Sequence, residues 1–221
     1  MFNRTKWKLT LLKVLVISGS QRANAKSSAV SLIIQQNVLS QFANVESDLL
    51  DLSQFPCLLD HYGNGSIDED ALEQQKAQVL AKLYACDAVV IVAPEWGGMI
   101  PPALVNLLLL TANGSAGGLP LGHKPAFAIG VSASGAGSNP ISLLKAYAAK
   151  NSHLVWLPLH AIVQNVNTFV EYPWEPQNSG RISQIQSRIA VGLKSLIIYA
   201  EQLKSVRHSL VTLSQVHPFG Q

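Results

Sequence analysis

The sequence predicts an α/β fold in which a parallel five-stranded sheet is covered by helices on both faces, and three observations lead to it. Short apolar runs alternate with helical patterns along the whole chain of 221 residues. The chain is 48% hydrophobic and only 13% charged, which suits strands that are buried on both faces. Right-handed crossovers between successive parallel strands then place the helices on both faces.

The predicted strands are short apolar segments bounded by turn-forming or charged residues. The third is the clearest, because Ala88 to Ala93 is an unbroken apolar run between Asp87 and Pro94. The fifth is expected to be interrupted near Pro158. In chain order the predicted strands cover residues 13–18, 46–52, 88–93, 125–132 and 153–163.

The predicted helices carry apolar residues three and four positions apart, as one buried helix face requires. The last helix is the clearest and runs from Ile182 to Leu203. The starts of the others are marked by capping or proline signals. These starts are Ser27, the capping box of Ser66 with Glu69, the pair Pro101 and Pro102, and the pair Asn139 and Pro140.

We expect one domain over residues 1–221, with its core at about 13–205 and a tail at 206–221 that has no strong pattern. Lys13 interrupts the apolar stretch near the N-terminus, so this segment reads as a short tail and a first strand, not as a secretion signal. No apolar run approaches the ~20 residues that span a bilayer. Cys57 and Cys86 lack metal spacing and are expected to be buried, reduced thiols, so we predict a cytoplasmic protein.

The charge pattern limits the classes of partner. The net charge is +3 and no segment carries a cluster of lysine and arginine, so nucleic-acid binding has little support. A mildly positive surface suits small anions such as dinucleotides. No metal site is expected, since the histidines lack HxxxH or HExxH spacing and are interpreted as structural or solvated. They are His61, His123, His153, His160, His208 and His217.

Three loops follow predicted strands one, three and four, at the edge where ligands bind in such sheets. The first reads ISGSQRANAKSS: Gly19 permits a turn, Ser20 and Ser27 offer hydroxyls, and Arg22 offers a charge to a phosphate at a helix N-terminus. The alternative is an ordinary loop capped by Ser27. The serines here lack the G-x-S-x-G pattern, which argues against a hydrolase triad.

The other two loops suit a flat ligand. In APEWGGMIPPALVN, two glycines beside Trp96 allow the backbone to approach a ring that the indole can cover. The alternative is a turn stabilised by a buried tryptophan. SASGAGSNP offers backbone donors and room for a ring edge, with a flexible linker as the alternative.

Together these loops resemble the NADPH-dependent FMN reductase family, a branch of flavodoxin-like proteins. The family pattern GSxRxxS appears here as GSQRANAKS, and PEYNxxxPxxLKN appears as PEWGGMIPPALVN. A DL…P segment matches at Asp51, Leu52 and Pro56, and a KP pair at Lys124 and Pro125. The resemblance covers about residues 13–170. It implies a three-layer flavodoxin-like fold with strand order 2-1-3-4-5, a bound FMN, and NADPH or NADH as electron donor.

The resemblance also implies roles for particular residues. Ser20, Arg22 and Ser27 would hold the FMN phosphate; Pro94, Glu95, Trp96, Gly97 and Gly98 would border the ribityl chain and the isoalloxazine ring; Ser132, Ser134 and Gly135 would border the other ring edge. No acid–base residue is expected, because the flavin carries the chemistry. Ala25 stands where the family often has serine, Trp96 and Gly97 replace tyrosine and asparagine, and Val105 replaces lysine.

The implied function is an FMN-dependent NAD(P)H oxidoreductase that passes hydride to a flavin, a quinone or another small acceptor. The resemblance further suggests a homodimer or homotetramer with the flavin near the interface. Two alternatives remain: a non-catalytic FMN-binding or electron-carrier module, and a structural protein that has lost its ligand. Electron-carrier flavodoxins are usually acidic, so the charge of +3 argues against the carrier.

Overall fold

The computed structural model describes residues 11–60, 68–112 and 118–219, and within them a parallel sheet runs through the molecule. Its strands are β1 (Leu12–Ser18), β2 (Val45–Asp51), β3 (Ala88–Pro94), β4 (Pro125–Val131), β5 (Val155–Trp156) and β6 (Ala161–Val163). The order is β2-β1-β3-β4-β5, and β6 also pairs with β4. The predicted order 2-1-3-4-5 is confirmed.

The predicted fifth strand is divided in two, as the proline within it indicated. β5 pairs with the start of β4 at Pro125 and Ala126, and β6 pairs with its end at Ile129 to Val131. Pro158 lies between them and has no N–H to donate to the ladder. Both halves therefore occupy the same edge of the sheet.

In the described part of the chain, six α-helices connect and cover the strands. They are α1 (Lys26–Ile33), α2 (Glu69–Ala85), α3 (Pro102–Leu110), α4 (Ser138–Tyr147), α5 (Val166–Glu171) and α6 (Arg181–Ser214). A π-helical segment at Ile34–Val38 continues α1. Val30, Ile34 and Val38 are all buried, as residues four positions apart on one helix face can be.

Two predicted helix starts are wrong in detail. α2 begins after Asp68, whose side chain accepts hydrogen bonds from the next turn, while the predicted cap Ser66 lies outside the described residues. The N-cap of α4 is Gly137, which adopts a left-handed conformation, so Asn139 is not the N-cap. Pro140 still falls in the first turn, where its missing N–H has no partner to lose.

α6 is the largest departure from the sequence prediction. It continues to Ser214, where the sequence indicated an end near Leu203 and no pattern beyond. Lys204 and Arg207 bind the buried carboxylate of Asp87, at 2.7 Å and 3.0 Å. These contacts hold the extended helix against the sheet, and no local pattern in the sequence announces them.

The side chains of each strand alternate between two apolar clusters. Val14 and Val16 face the cluster formed with α1, α5 and α6, whereas Leu15 and Ile17 face the cluster formed with α2, α3 and α4. This alternation is what a sheet covered on both faces requires. The predicted three-layer arrangement is confirmed.

The cysteines and the helix composition bear on two further expectations. Both cysteines are free, and Cys86 is buried as expected, but Cys57 is only partly buried. No helix in the described part of the chain combines the length and the apolarity that a membrane crossing needs.

Candidate functional site

A groove lies at the carboxyl edge of the sheet, where the loops after β1 and β3 meet the end of β4. Ser18 is level with Val92, and Pro94 is level with Val131, so these chain ends converge. The groove has a volume of about 170 Å³. It is lined by Ser20, Arg22, Ala25, Lys26, Ser27, Pro94, Glu95, Trp96, Val131, Ala133 and Val166.

The N-terminus of α1 opens into this groove without a side-chain cap. Its N-cap is Ala25, not Ser27, and no acidic residue lies in its first turn. The first N–H groups of a helix have no partner within the helix and carry the positive end of its dipole. This helix start can therefore receive an anion, which is what a phosphate site requires.

Serine hydroxyls surround the same helix start. Ser18 Oγ donates to Ser27 Oγ at 3.2 Å and pairs with Ser28 Oγ at 3.0 Å, and Ser18 and Ser27 are both buried. Ser27 can then donate its own proton into the groove it lines. The backbone N–H of Arg22 donates to Ser20 Oγ at 3.2 Å and so orders the loop. Sequence reasoning missed Ser18, although a serine that ends an apolar strand is a visible signal.

The glycine pair of the second loop forms a tight turn. The backbones of Trp96 and Met99 exchange two hydrogen bonds of 2.9 Å. Gly97 and Gly98 have φ values of 56° and 81°, as the primed turns of two-residue hairpins require. A Cβ on Gly97 would meet nothing within 4 Å, so its conformation is what requires glycine there. The glycines do not line the groove but carry Trp96 at its rim.

Arg22 and Trp96 face each other across the mouth of the groove. The guanidinium carbon of Arg22 lies 4.3 Å from the centroid of the Trp96 ring, within the range of a cation–π contact. Arg22 is exposed and Trp96 is partly buried. Neither Arg22 nor Lys26 belongs to a salt bridge within the described ranges, so both charges remain available to an anion.

Glu95 joins the second loop to the third. Its carboxylate oxygen Oε2 accepts the Gly137 N–H at 2.6 Å, and its own N–H donates to the Val131 carbonyl at 2.9 Å. A Cβ on Gly130 would lie 2.1 Å from the Gly137 carbonyl oxygen, so the third loop folds directly onto β4. The Glu95 carboxylate is therefore already bound to a backbone N–H of the protein.

The third loop contains three of the predicted site residues, Ser132, Ser134 and Gly135. Ser132 is buried, its N–H donates to the Val163 carbonyl, and its Oγ accepts the Ser134 N–H at 3.2 Å. Ser134 and Gly135 are exposed. None of these three lines the groove, because Ser132 continues the hydrogen bonding toward β6. Val131 and Ala133 line it instead, together with the distant Val166.

None of the histidines within the described residues lines this groove. His123 and His153 pack with ring centroids 5.6 Å apart, and their Nε2 atoms reach Ser214 Oγ at 2.7 Å and the Pro218 carbonyl at 3.1 Å. Burial lowers the pKa of His123, and the neighbouring His153 lowers it further. Both histidines thus hold the end of α6, a structural role. His61 lies outside the described residues, and the described residues contain no cluster placed to hold a metal.

The strand order and a groove beyond the ends of β1 and β3 define a flavodoxin-like α/β protein. The sequence model of the NADPH-dependent FMN reductase family matches residues 12–166, and the chain belongs to that family. It is therefore an oxidoreductase whose cofactors are FMN and a reduced nicotinamide. The donor set fits FMN, because hydroxyls, a cation and an open helix start meet where a phosphate would bind.

Solved structures share the fold at low sequence identity. An oxidoreductase from Corynebacterium diphtheriae matches with a TM-score of 0.61 and 13% identity over 87% of this chain and 98% of its own. The apo NADH:FMN oxidoreductase EmoB gives 0.63 and 11% over 85% and 89%. The NAD(P)H:acceptor oxidoreductase FerB from Paracoccus denitrificans gives 0.55 and 16% over 86% and 98%. No curated protein matches the sequence.

Proposed function

We propose that the groove binds FMN and that the protein passes hydride from NADPH or NADH to a small acceptor such as free flavin or a quinone. One observation carries the proposal: the open start of α1 and the rim residues Arg22 and Trp96 share one groove. Bound FMN would accept hydride from the nicotinamide ring and pass it on. The protein's task is then to bind, orient and expose the flavin.

The phosphate end is assigned to the first loop. The first-turn N–H groups of α1 and the hydroxyls of Ser20 and Ser27 would donate to the phosphate oxygens, and Arg22 would add a charge. Ala25 contributes no hydroxyl there, so the hydrogen bonds come from the backbone and from its neighbours. Lys26, at the first position of α1, adds a second positive charge to the same end.

The ribityl chain and ring are assigned to the second and third loops. Pro94, Glu95 and Trp96 line the groove wall, with Val131 and Ala133 opposite. Gly97 and Gly98 would act through the turn that carries Trp96. Ser132, Ser134 and Gly135 would border the far edge of the ring, beyond the groove that the free protein shows.

The electron acceptor would approach the exposed flavin face. FerB is described as an NAD(P)H:acceptor oxidoreductase and EmoB as an NADH:FMN oxidoreductase, and their folds resemble this one. A flavin or quinone is a flat molecule that can stack on such a face, which favours these acceptor classes. No acid–base side chain is assigned to the reaction.

We also propose that the protein is a homodimer or homotetramer and that it works in the cytoplasm. α3 supports the oligomer, because it is apolar on nearly all sides and Leu109 is 42% exposed. Met99, next to the Trp96 turn, is 55% exposed. A partner that covered Met99 would lie next to the Trp96 turn at the rim of the groove. Size-exclusion chromatography with light scattering measures the oligomer directly.

The central experiment mixes the FMN-loaded protein anaerobically with NADPH and, separately, with NADH, followed by a panel of acceptors. Bleaching of the flavin absorbance and its recovery with acceptor support the oxidoreductase. If flavin binds but stays oxidised with both nicotinamides, the result favours the non-catalytic FMN-binding or electron-carrier function instead. Saturating FMN that neither binds nor raises thermal stability would contradict both flavin functions.

The phosphate assignment has its own test in Arg22→Ala. A hydrogen bond to a charged group contributes ~1.5 kcal/mol or more, so FMN affinity should fall at least about tenfold. Riboflavin lacks the phosphate and should be affected less. The matched control is Arg188→Ala, because Arg188 donates to the His160 carbonyl and lies outside the groove. Equal losses for both flavins would refute the phosphate role.

A further inference from the structure

We infer that Trp96 is a positioning residue that holds the guanidinium of Arg22 at the phosphate end of the groove and thereby makes the site select FMN over riboflavin. The inference rests on the proposed function, in which Arg22 binds the FMN phosphate. It adds a mechanism for that contact and a second residue, from a different loop, on which flavin selectivity depends.

The contact itself is a cation–π pair across two loops. Arg22 belongs to the loop after β1 and Trp96 to the loop after β3, and the guanidinium carbon lies 4.3 Å from the ring centroid. A guanidinium is planar and donates hydrogen bonds from its edge. Contact of its face with an indole therefore leaves edge donors for the two oxygens of a phosphate.

Arg22 would be poorly ordered without this ring. Its side chain is exposed and long, and no carboxylate pairs with it within the described residues. Only its backbone N–H is fixed, by Ser20 Oγ. A free arginine side chain loses much rotational entropy when it binds a ligand, and a side chain that is already held loses less.

Trp96 is a suitable support because its own backbone is fixed on both sides. The two-glycine turn holds it through the paired hydrogen bonds to Met99. On the other side, Glu95 is bonded to Val131 and Gly137. The rigid loop thus orders the flexible side chain, and the benefit reaches only a flavin that carries a phosphate.

The test measures the affinities of FMN and riboflavin by quenching of flavin fluorescence. The proteins are the wild type, Trp96→Leu, Trp96→Tyr, Arg22→Ala and the double variant Trp96→Leu with Arg22→Ala. We expect Trp96→Leu to reduce the preference for FMN over riboflavin about fivefold, the value of an exposed cation–π contact. Trp96→Tyr keeps an aromatic face and should keep most of the preference.

The double variant separates positioning from direct contact. Without Arg22 there is nothing to position, so Trp96→Leu should cause no further loss of preference in the Arg22→Ala background. The inference is wrong if Trp96→Leu weakens both flavins equally, or if it lowers the preference further when Arg22 is absent. Trp96→Met, which also removes the aromatic ring, gives the same decision should the leucine variant unfold.

A measurement without flavin tests the contact between Arg22 and Trp96. In NMR spectra the Arg22 side-chain resonances should be shifted by the ring current of Trp96, and Trp96→Leu should abolish the shift. Failure of the proposed function looks different: the wild type would then show no preference for FMN. A wild type that prefers FMN, loses the preference in Arg22→Ala and keeps it in Trp96→Leu overturns the positioning alone.

Discussion

Gly192 is where α6 comes close to the sheet, and Gly192→Ala tests this packing. A Cβ at this position would lie 2.2 Å from Cζ, 2.3 Å from Cε2 and 2.9 Å from Cε1 of Phe127. Phe127 belongs to β4 and is fully buried. The ring cannot move away freely, because the apolar cluster of β1, β3, α1 and α6 encloses it.

The expected change in the free energy of unfolding is the balance of two opposing effects. Carbon atoms in contact are normally ~3.5–4.0 Å apart, so the added methyl group overlaps the ring by more than an ångström. Overpacking of this kind costs ~1–3 kcal/mol, and two ring atoms so close place this case at the upper end. Alanine in place of glycine in a helix returns about 1 kcal/mol. We expect a net loss of about 2 kcal/mol in the free energy of unfolding.

Urea denaturation followed by circular dichroism measures this loss. Phe127→Leu in the Gly192→Ala background makes room, so the double variant should lose at least ~1 kcal/mol less than the sum of the single losses. Lys194→Ala, at an exposed position of the same helix, is the control and should change stability by under ~0.5 kcal/mol. A Gly192→Ala protein as stable as the wild type would refute the close packing of α6 on Phe127.

Two further predictions concern carboxylates that accept hydrogen bonds from backbone N–H groups. Burial alone would raise the pKa of Asp87, but hydrogen bonds from Lys204, from the backbone of Lys13 and from Arg207 lower it. The contribution of the Asp87 charge to stability is therefore present above the unfolded pKa of ~3.9 and is lost as the pH falls through the folded pKa. We expect Asp87→Asn to lower the free energy of unfolding by ~2–3 kcal/mol at pH 7 and by less at pH 3. Urea denaturation at the two pH values measures both losses. Glu95→Ala should speed hydrogen exchange of the Gly137 amide at least tenfold, because it removes the charged acceptor of that amide. Glu95→Gln keeps an acceptor oxygen, so exchange should speed up less. Unchanged exchange in Glu95→Ala would contradict this link between the loops.

Most of the fold could be predicted because the signals are local. The apolar run from Ala88 to Ala93 becomes a central strand, which begins directly after Asp87 and extends one residue further than predicted, to Pro94. The end of α6 could not be predicted in this way. Lys204 and Asp87 are separated by 117 positions in sequence, and only the folded chain brings them together. Hydrophobic spacing weakens after Leu203 although the helix continues.

The candidate site, like the fold, could be predicted only where its residues lie close together in sequence. The expected first- and second-loop residues that line the groove follow directly after a strand, so a short motif locates them. Val166 lines the same groove from the start of α5, and no motif connects it with the others. Ser132 is predicted at the ring edge; its N–H donates to the Val163 carbonyl, it is not among the residues that line the groove, and its role stays a prediction.

The departures from the family pattern at Trp96 and Gly97 belong together. Gly97 has a φ of 56°, a conformation that glycine adopts freely and that asparagine tolerates better than most residues. Glycine in place of the usual asparagine therefore keeps the turn. That turn fixes Trp96, and tryptophan binds cations more strongly than the tyrosine it replaces. Since the cation here is Arg22, the two changes supply the aromatic support of an arginine that the family pattern already contains. In the proposed function they would strengthen the anion end of the groove, where Ala25 supplies no hydroxyl.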